Sequence, residues 1–547
     1  MHSGPTRGSN LRRVVAAAAL GAIFESYDIA LFGPLASLVA ANFFSGLDPS
    51  SAYVFTLLSF AIAYLVRPVG AAVFGQLNDR AGRKQTFLIT VVILGVSTAL
   101  MGLLPSYAAI GVASPCLMML LRVCQGLGFG GEFGSAVTYI AEHARPDQRG
   151  LATGAFAITS ACGLVLSILV VLATELVLGK TAFEAWGWRI PFLFSAVLML
   201  ISVRLRLRLQ ESPLFLQLRA DGRVSAAPLR EAFGTRRYLR TSLIALFGAI
   251  AGNSVALAVA AYPIYFLMLN LRVDPLLLDY TILGYSVLLA LFILGAAWLS
   301  DHVGRKPLML AGFVLTALAC FPVFKAITHY ADPGLEAAIR VSPVRVLADP
   351  TQCSLQIDPI GVVAPRTSCD IAHKALAKAG VPYTSIAVPG QPVARVEIGA
   401  TRLESFESRG LSKPELATRT RAFGQELTAA LSRAGYPVKA DPRHTNVVAL
   451  ILWIGLLCLF VALASGPLAS WLVEMFPTRI RGTALSLPYN LGGWFGGFLP
   501  AVVFSVFTST GDFYSGLWYA IGMLALATLI AAVCLPETRG RSLVAID

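Results

Sequence analysis

The chain is short of charge. Only 13% of its 547 residues are Asp, Glu, Lys or Arg, about half the share of an average soluble domain. So few charges cannot solvate a cytosolic enzyme of this length. With 56% hydrophobic residues and a mean hydropathy of +0.71, disorder is excluded too. The six histidines and eight cysteines form no metal-ligand or nucleophile spacing, and no G-x-x-x-x-G-K-[ST] run offers nucleotide hydrolysis. No cofactor or metal is expected, and an enzyme is the least favoured class.

What the chain has instead is long apolar runs. A membrane-spanning helix needs about 20 apolar residues, and twelve stretches qualify: 14–39, 52–74, 86–104, 108–141, 151–177, 189–205, 241–269, 277–299, 308–328, 447–473, 483–508 and 514–535. One long stretch, 329–446, has none. The expected fold is an all-α polytopic membrane protein with one soluble insert.

The net charge of +13 raises nucleic acid as a partner, but its distribution argues otherwise. With the N-terminus on the cytoplasmic side, the cytoplasmic segments hold 23 Lys and Arg, and the short outer loops hold only Lys180 and Arg272. That asymmetry is the positive-inside pattern, with both termini cytoplasmic. The nine arginines from Arg204 to Arg240 then read as a topology anchor, and no nucleic-acid partner is expected. Arg12-Arg13 and the Ala-rich run after them resemble a signal peptide, but the apolar segment runs on past Glu25 and Asp28, so a retained first span is expected.

The sequence repeats itself. Gly75–Lys84 (GQLNDRAGRK) returns as Ala297–Lys306 (AWLSDHVGRK) at an offset of 222, and Glu142–Gly150 returns as Glu474–Gly482 at an offset of 332. The difference of 110 measures a segment inserted between the two repeats of the second half, matching the gap in hydropathy. Twelve helices therefore form two pseudo-symmetric halves of six. The expected divisions are an N-terminal half 1–208, a basic central loop 209–240, helices seven to nine over 241–328, the insert over 329–446, and helices ten to twelve with the tail over 447–547. The insert falls between helices nine and ten on the outer face and reads as small α/β. Pro343–Ala348 and Ala394–Ile398 look like strands, and Asp370–Ala379 and Lys413–Ala434 like helices. It holds Cys353 and Cys369, a candidate disulfide in an oxidising compartment.

The paired loops at Asp79 and Asp301, the Arg122-x-x-Gln125-Gly126 run, the Glu…Arg-Gly ends after spans four and ten, and Pro536–Ser542 together resemble the major facilitator superfamily. Within it, Glu25-Ser-Tyr-Asp28, Gly130-Gly131-Glu132 and Trp494–Pro500 are similar to the metabolite:proton symporters. The resemblance implies proton-coupled import of an organic acid or a zwitterionic osmolyte, across a bacterial inner membrane. It covers all twelve spans. Departures are Ser26, Ala297 in place of a glycine, and the insert.

Charges within spans are costly and mark function by default. Glu25 and Asp28 share a face of the first span, Arg67 lies about 18 Å along its helix from Asp79, and Arg122, Gln125 and Glu132 lie along the fourth. Asp28 is the first candidate proton carrier, then Glu132, with Glu25 and Arg122 beside them. The resemblance implies a pairing of Asp28 with Arg122. Arg67 and Arg122 suit a substrate carboxylate, with Gln125 as a polar neighbour. In the second half Asn253, Tyr262, Tyr265, Tyr489, Asn490 and Trp494 are the candidates for the cavity, near the helix-bending Pro263 and Pro488. The glycines from Gly126 to Gly134 and from Gly492 to Gly497 read as helix-packing surfaces. Gly75, Asp79, Arg80, Arg83, Lys84, Glu142 and Arg149, with Asp301, Arg305, Lys306, Glu474 and Arg481, form a candidate cytoplasmic gate.

The reading is a symporter that works by alternating access as a monomer in lipid. Two alternatives stay open: a proton-independent facilitator or exporter, and a receptor whose insert binds a ligand.

Overall fold

In a computed structural model, residues 7–45, 49–353 and 367–543 are described. Long helices dominate. Nine of those described are long and apolar enough to cross a membrane: Arg83–Leu103 (α3), Arg149–Leu178 (α5), Arg189–Leu207 (α6), Arg236–Asn270 (α7), Pro275–Val303 (α8), Arg305–Ala331 (α9), Val447–Val473 (α10), Arg481–Thr510 (α11) and Leu517–Cys534 (α12). Three more long helices stand where spans one, two and four are expected: Arg7–Ala30 (α1), Pro49–Ala81 (α2) and Ala113–His143 (α4). These three carry Glu25 and Asp28, Arg67, and Arg122 and Glu132 respectively.

The first expected span is shorter than its apolar run. Helix α1 ends at Ala30, a turn follows at Gly33 and Pro34, and a separate helix runs Ala36–Phe43. Proline in the turn removes a backbone donor that a continuous helix would need. The basic central loop is also shorter than expected, because α7 already begins at Arg236.

Glycine sets how closely helices approach. On α4, a Cβ at Gly126 or Gly130 would stand 2.3 Å and 2.1 Å from the carbonyl oxygens of Ala63 and Arg67 on α2, so only glycine lets these backbones touch. Ala297, where the first repeat has Gly75, is fully buried, and its methyl fits because Gly154 lies opposite.

Between α9 and α10 lies the α/β insert. Its strands β1 (Val344–Ala348), β2 (Thr384–Ala387), β3 (Arg395–Ile398) and β4 (Thr401–Glu404) form one sheet in the order β2-β1-β3-β4. β1 pairs parallel with β2 and antiparallel with β3, and β3 pairs antiparallel with β4. Alternation along β3 buries Val396 and Ile398 against the helices Ser368–Lys378 and Lys413–Arg433. Cys353 and Cys369 are joined by a disulfide with Cα atoms 5.2 Å apart. The insert rests on the second half: Tyr383 N–H donates to Gly511 O at 2.9 Å, and Arg272 donates to the carbonyls of Val438 and Lys378.

Candidate transport site and gate

At the face opposite the insert, the two repeats build the same structure twice. Asp79, at the end of α2, accepts from the backbone N–H of Gly482 (2.9 Å) and Thr483 (2.8 Å) at the start of α11. Asp301, at the end of α8, accepts from Gly150 (2.8 Å) and Leu151 (2.9 Å) at the start of α5. Each aspartate thus caps a helix of the opposite half, where free N–H groups and the helix dipole favour an anion.

The residues just before those N–H donors make the second layer. Arg481 pairs with Glu142 at 2.7 Å, and Arg149 pairs with Glu474 at 2.7 Å. Arg83 and Arg305 lie 3.4 Å from Glu142 and Glu474 respectively. All of these charges are buried, and their mutual pairing offsets the desolvation that burial costs. Gly75 admits the close approach, since a Cβ there would meet Thr483 Cα at 2.9 Å. Six of these contacts cross between halves, so this face is closed.

A third repeated element escaped the sequence reading. Glu211 accepts from the N–H of Arg83 (3.1 Å) and Lys84 (3.2 Å), and Glu537 accepts from Arg305 (3.0 Å) and Lys306 (3.0 Å). Next to them, Ser212 and Thr538 donate to Glu142 and Glu474. Burial pushes the Glu537 carboxyl up, but the N–H groups of Arg305, Arg539, Lys306 and Thr538 together hold it below its ordinary value. The signal was Glu-Ser and Glu-Thr directly after spans six and twelve. Lys84 and Lys306 cap neighbouring helices instead, through Leu207 O and Ala532 O. Arg80 is exposed and stands apart from the network.

Deeper in the first half, the expected Asp28–Arg122 pair does not form. Asp28 accepts a hydrogen bond from Ser195 on α6, while Arg122 donates to Gln125 Oε1 at 2.5 Å. Gln125 stands between them, donating to Asp28 O at 3.1 Å and Thr98 Oγ1 at 2.9 Å. The guanidinium of Arg122 lies 3.6 Å over the Phe32 ring.

Glu25 has a partner the sequence reading assigned elsewhere. Arg206, placed among the topology arginines, is fully buried and reaches Glu25 at 2.5 Å. It also donates to Phe87 O at 3.0 Å. Glu132 lies within electrostatic reach of Glu25, Arg206 and Arg67. Helix spacing explains the error. Residues 204 and 208 face out, while Ser195, Ser202 and Arg206 follow one stripe of α6 facing Asp28 and Glu25.

Arg67 is half-buried over the rings of Tyr64 (3.6 Å) and Phe129 (4.1 Å). Among the described residues no carboxylate pairs with it, and its buried Nε–H has no acceptor. From the second half, Tyr489 stacks on Phe133 at 3.4 Å, Asn490 donates to Gly130 O at 3.0 Å, and Trp494 donates to Tyr64 O at 3.4 Å. These three residues of α11 therefore meet α2 and α4 beside Arg67. The α7 candidates do not join them. Asn253 accepts from Ser465 at 2.7 Å, Tyr262 is buried against Phe266 and Phe324 inside its own half, and Tyr265 is exposed.

The long apolar helices and the charged network that the two repeats build twice belong to the major facilitator fold. The chain belongs to the sugar (and other) transporter family of the major facilitator superfamily, whose profile matches residues 14–237, 220–339 and 427–547 and passes over 340–426, the middle of the insert. Members of this family are transporters and not enzymes. It is 32% identical to the proline/betaine transporter of Escherichia coli over 57% of this chain and 64% of that one. It is 33% identical to the glycine betaine/proline/ectoine/pipecolic acid transporter OusA of Dickeya dadantii, over 58% of this chain and 65% of that one. The chain thus spans less than two thirds of the length of these relatives. Among solved structures, the proton:xylose symporter XylE bound to 6-bromo-6-deoxy-D-glucose superposes with a TM-score of 0.62 at 17% identity, covering 98% of each chain. The inward-open conformation of XylE from E. coli superposes at 0.51, at 20% identity and covering 97% of this chain and 98% of that one.

Proposed function

We propose that this transporter is a proton symporter that imports a small metabolite bearing a carboxylate, in the inner membrane of a bacterium and with both termini cytoplasmic. One observation carries the reading: Arg67, a half-buried guanidinium with no carboxylate partner among the described residues, lies between the two halves and beside a group of buried carboxylates. Aromatic rings cover its face and leave N–H donors for a bidentate carboxylate. Tyr64, Phe129, Tyr489 and Trp494 around it suit the apolar or cationic remainder of a zwitterion. The named solutes of the relatives, proline and betaine among them, are zwitterions with one carboxylate.

Asp28 is assigned the proton. Its carboxylate accepts from the Ser195 hydroxyl, the Glu25 carboxylate acts on it as a like charge, and among the described residues no cation pairs with it. Glu132 couples the proton to the solute, because it acts electrostatically on both the Glu25–Arg206 pair and Arg67. While Glu132 is charged it competes for Arg67; the proton, passed on from Asp28, neutralises it, leaves Asp28 ionised and releases the guanidinium to the solute. The closed gate then opens as the halves rock, and the cytoplasm takes both.

The test separates coupling from translocation. In proteoliposomes, Asp28→Asn should exchange labelled solute across the membrane while failing to accumulate it under a proton gradient. Gradient-driven accumulation in that variant would overturn the proton assignment and favour a facilitator.

A further inference from the structure

The gate face carries a basic groove that neither transport nor gating uses. Two contiguous cavities of about 540 and 450 Å³ share Gly222 and Val224. Arg223, Arg230 and Arg479 line one, and Arg80 and Arg219 line the other. Among the described residues of the lining the one carboxylate is Glu231, already paired with Arg479 at 2.7 Å. Among the described residues Arg80, Arg219, Arg223 and Arg230 have no acidic partner. A topology signal requires arginines somewhere on this loop. It does not require them to converge on one concave surface.

The lining also joins the two halves. Arg80 ends α2, Arg219 and Arg223 belong to the central loop, and Arg479 precedes α11. One helical turn from the groove the surface turns apolar, with Leu216 and Leu239 exposed. Guanidinium groups above exposed leucines match a phosphate attached to acyl chains.

We propose that this groove binds the phosphate headgroup of an anionic phospholipid, which bridges the halves and favours the closed gate. This goes beyond the transport reading and is independent of the solute.

The test uses the full chain in nanodiscs of phosphatidylcholine with and without phosphatidylglycerol. Lipid retention is read by native mass spectrometry and the unfolding midpoint by a thermal ramp. The variant is Arg219→Gln/Arg223→Gln/Arg230→Gln. The control, Arg236→Gln/Arg237→Gln/Arg240→Gln, removes the same charge near the same loop but none from the lining. Wild type and control should prefer phosphatidylglycerol and unfold at a higher temperature in it. The lining variant should lose about a hundredfold of that preference while keeping the wild-type midpoint in phosphatidylcholine. If the triple variant is unstable, Arg223→Gln alone should lose about fivefold. Equal retention by lining variant and control would overturn the proposal. So would a midpoint rise reproduced by inorganic phosphate without the lipid, which would mark a site for a soluble anion.

Discussion

Single residues decide the chemistry. Removing Arg206 while leaving Glu25 strands a buried carboxylate, so Arg206→Leu should destabilise the chain by about 3–5 kcal/mol. Glu25→Leu combined with Arg206→Leu should recover much of that loss, as thermal unfolding in detergent can show. Failure of the double variant to recover would mean that Arg206 holds α6 through Phe87 O rather than through charge. Arg67→Gln should raise the KM for the solute at least tenfold if a bidentate pair is lost, taking about 1.5–3 kcal/mol for a charged hydrogen bond. Arg67→Lys should fail to restore it, because an ammonium lacks the planar fork. A lysine variant with wild-type KM would contradict the assigned geometry.

At this scale the sequence was legible where spacing was unambiguous. Glu25, Asp28, Arg122 and Glu132 stand out because charge inside an apolar run has no structural default. Arg206 does not, since Arg-x-Arg-x-Arg at the end of a span reads as an anchor until the face of each residue is known. The Asp28–Arg122 pairing failed for a similar reason. Helical spacing places both side chains at one depth, but Gln125 occupies the space between them.

Among elements, the gate shows how a repeat in sequence becomes a device. Asp79 and Asp301 hold helix starts of the opposite half, so Asp79→Asn should weaken closure without unfolding the chain. Cysteines placed on α4 facing Arg67 should then label faster from the gate side. Unchanged labelling would show that the second layer, Arg481 with Glu142, closes the face alone. The insert offers a pH prediction. His373 is packed under Tyr383 beside Cys369, and burial presses its pKa from 6.5 to about 4, with Asp370 opposing. The folded insert therefore keeps the imidazole neutral while the unfolded chain takes up a proton below 6.5. Stability should fall as pH drops from 6.5 to about 4, by on the order of 3 kcal/mol, and then level off. Hydrogen exchange of the insert in the full chain, corrected for intrinsic rates, reads this directly. His373→Gln should flatten the dependence.

The insert also marks where element reading stops. The strands expected near 343–348 and 394–398 run Val344–Ala348 and Arg395–Ile398. β2 and β4 went unread because Thr384–Ala387 is exposed and Thr401–Glu404 is largely polar, so neither alternates strongly.

On the scale of the whole molecule, the duplication is the organising fact. Two offsets in the sequence give the length of the insert, and the structure seats that insert on the second half, where Tyr383 and Arg272 hold it. The gate side is closed by contacts that the repeats make twice. Asymmetry enters at mid-membrane depth, where the first half holds the charges and the second half brings α11 to them.

The central claim is that a buried carboxylate carries a proton with a carboxylate-bearing solute. The direct measurement is current in proteoliposomes on adding organic acids and zwitterions, with and without an inward proton gradient, for wild type and Asp28→Asn together. The account predicts a solute-dependent current that the gradient enhances and that the variant loses. A solute-dependent current that the proton gradient still enhances in Asp28→Asn would contradict it and take the proton away from Asp28.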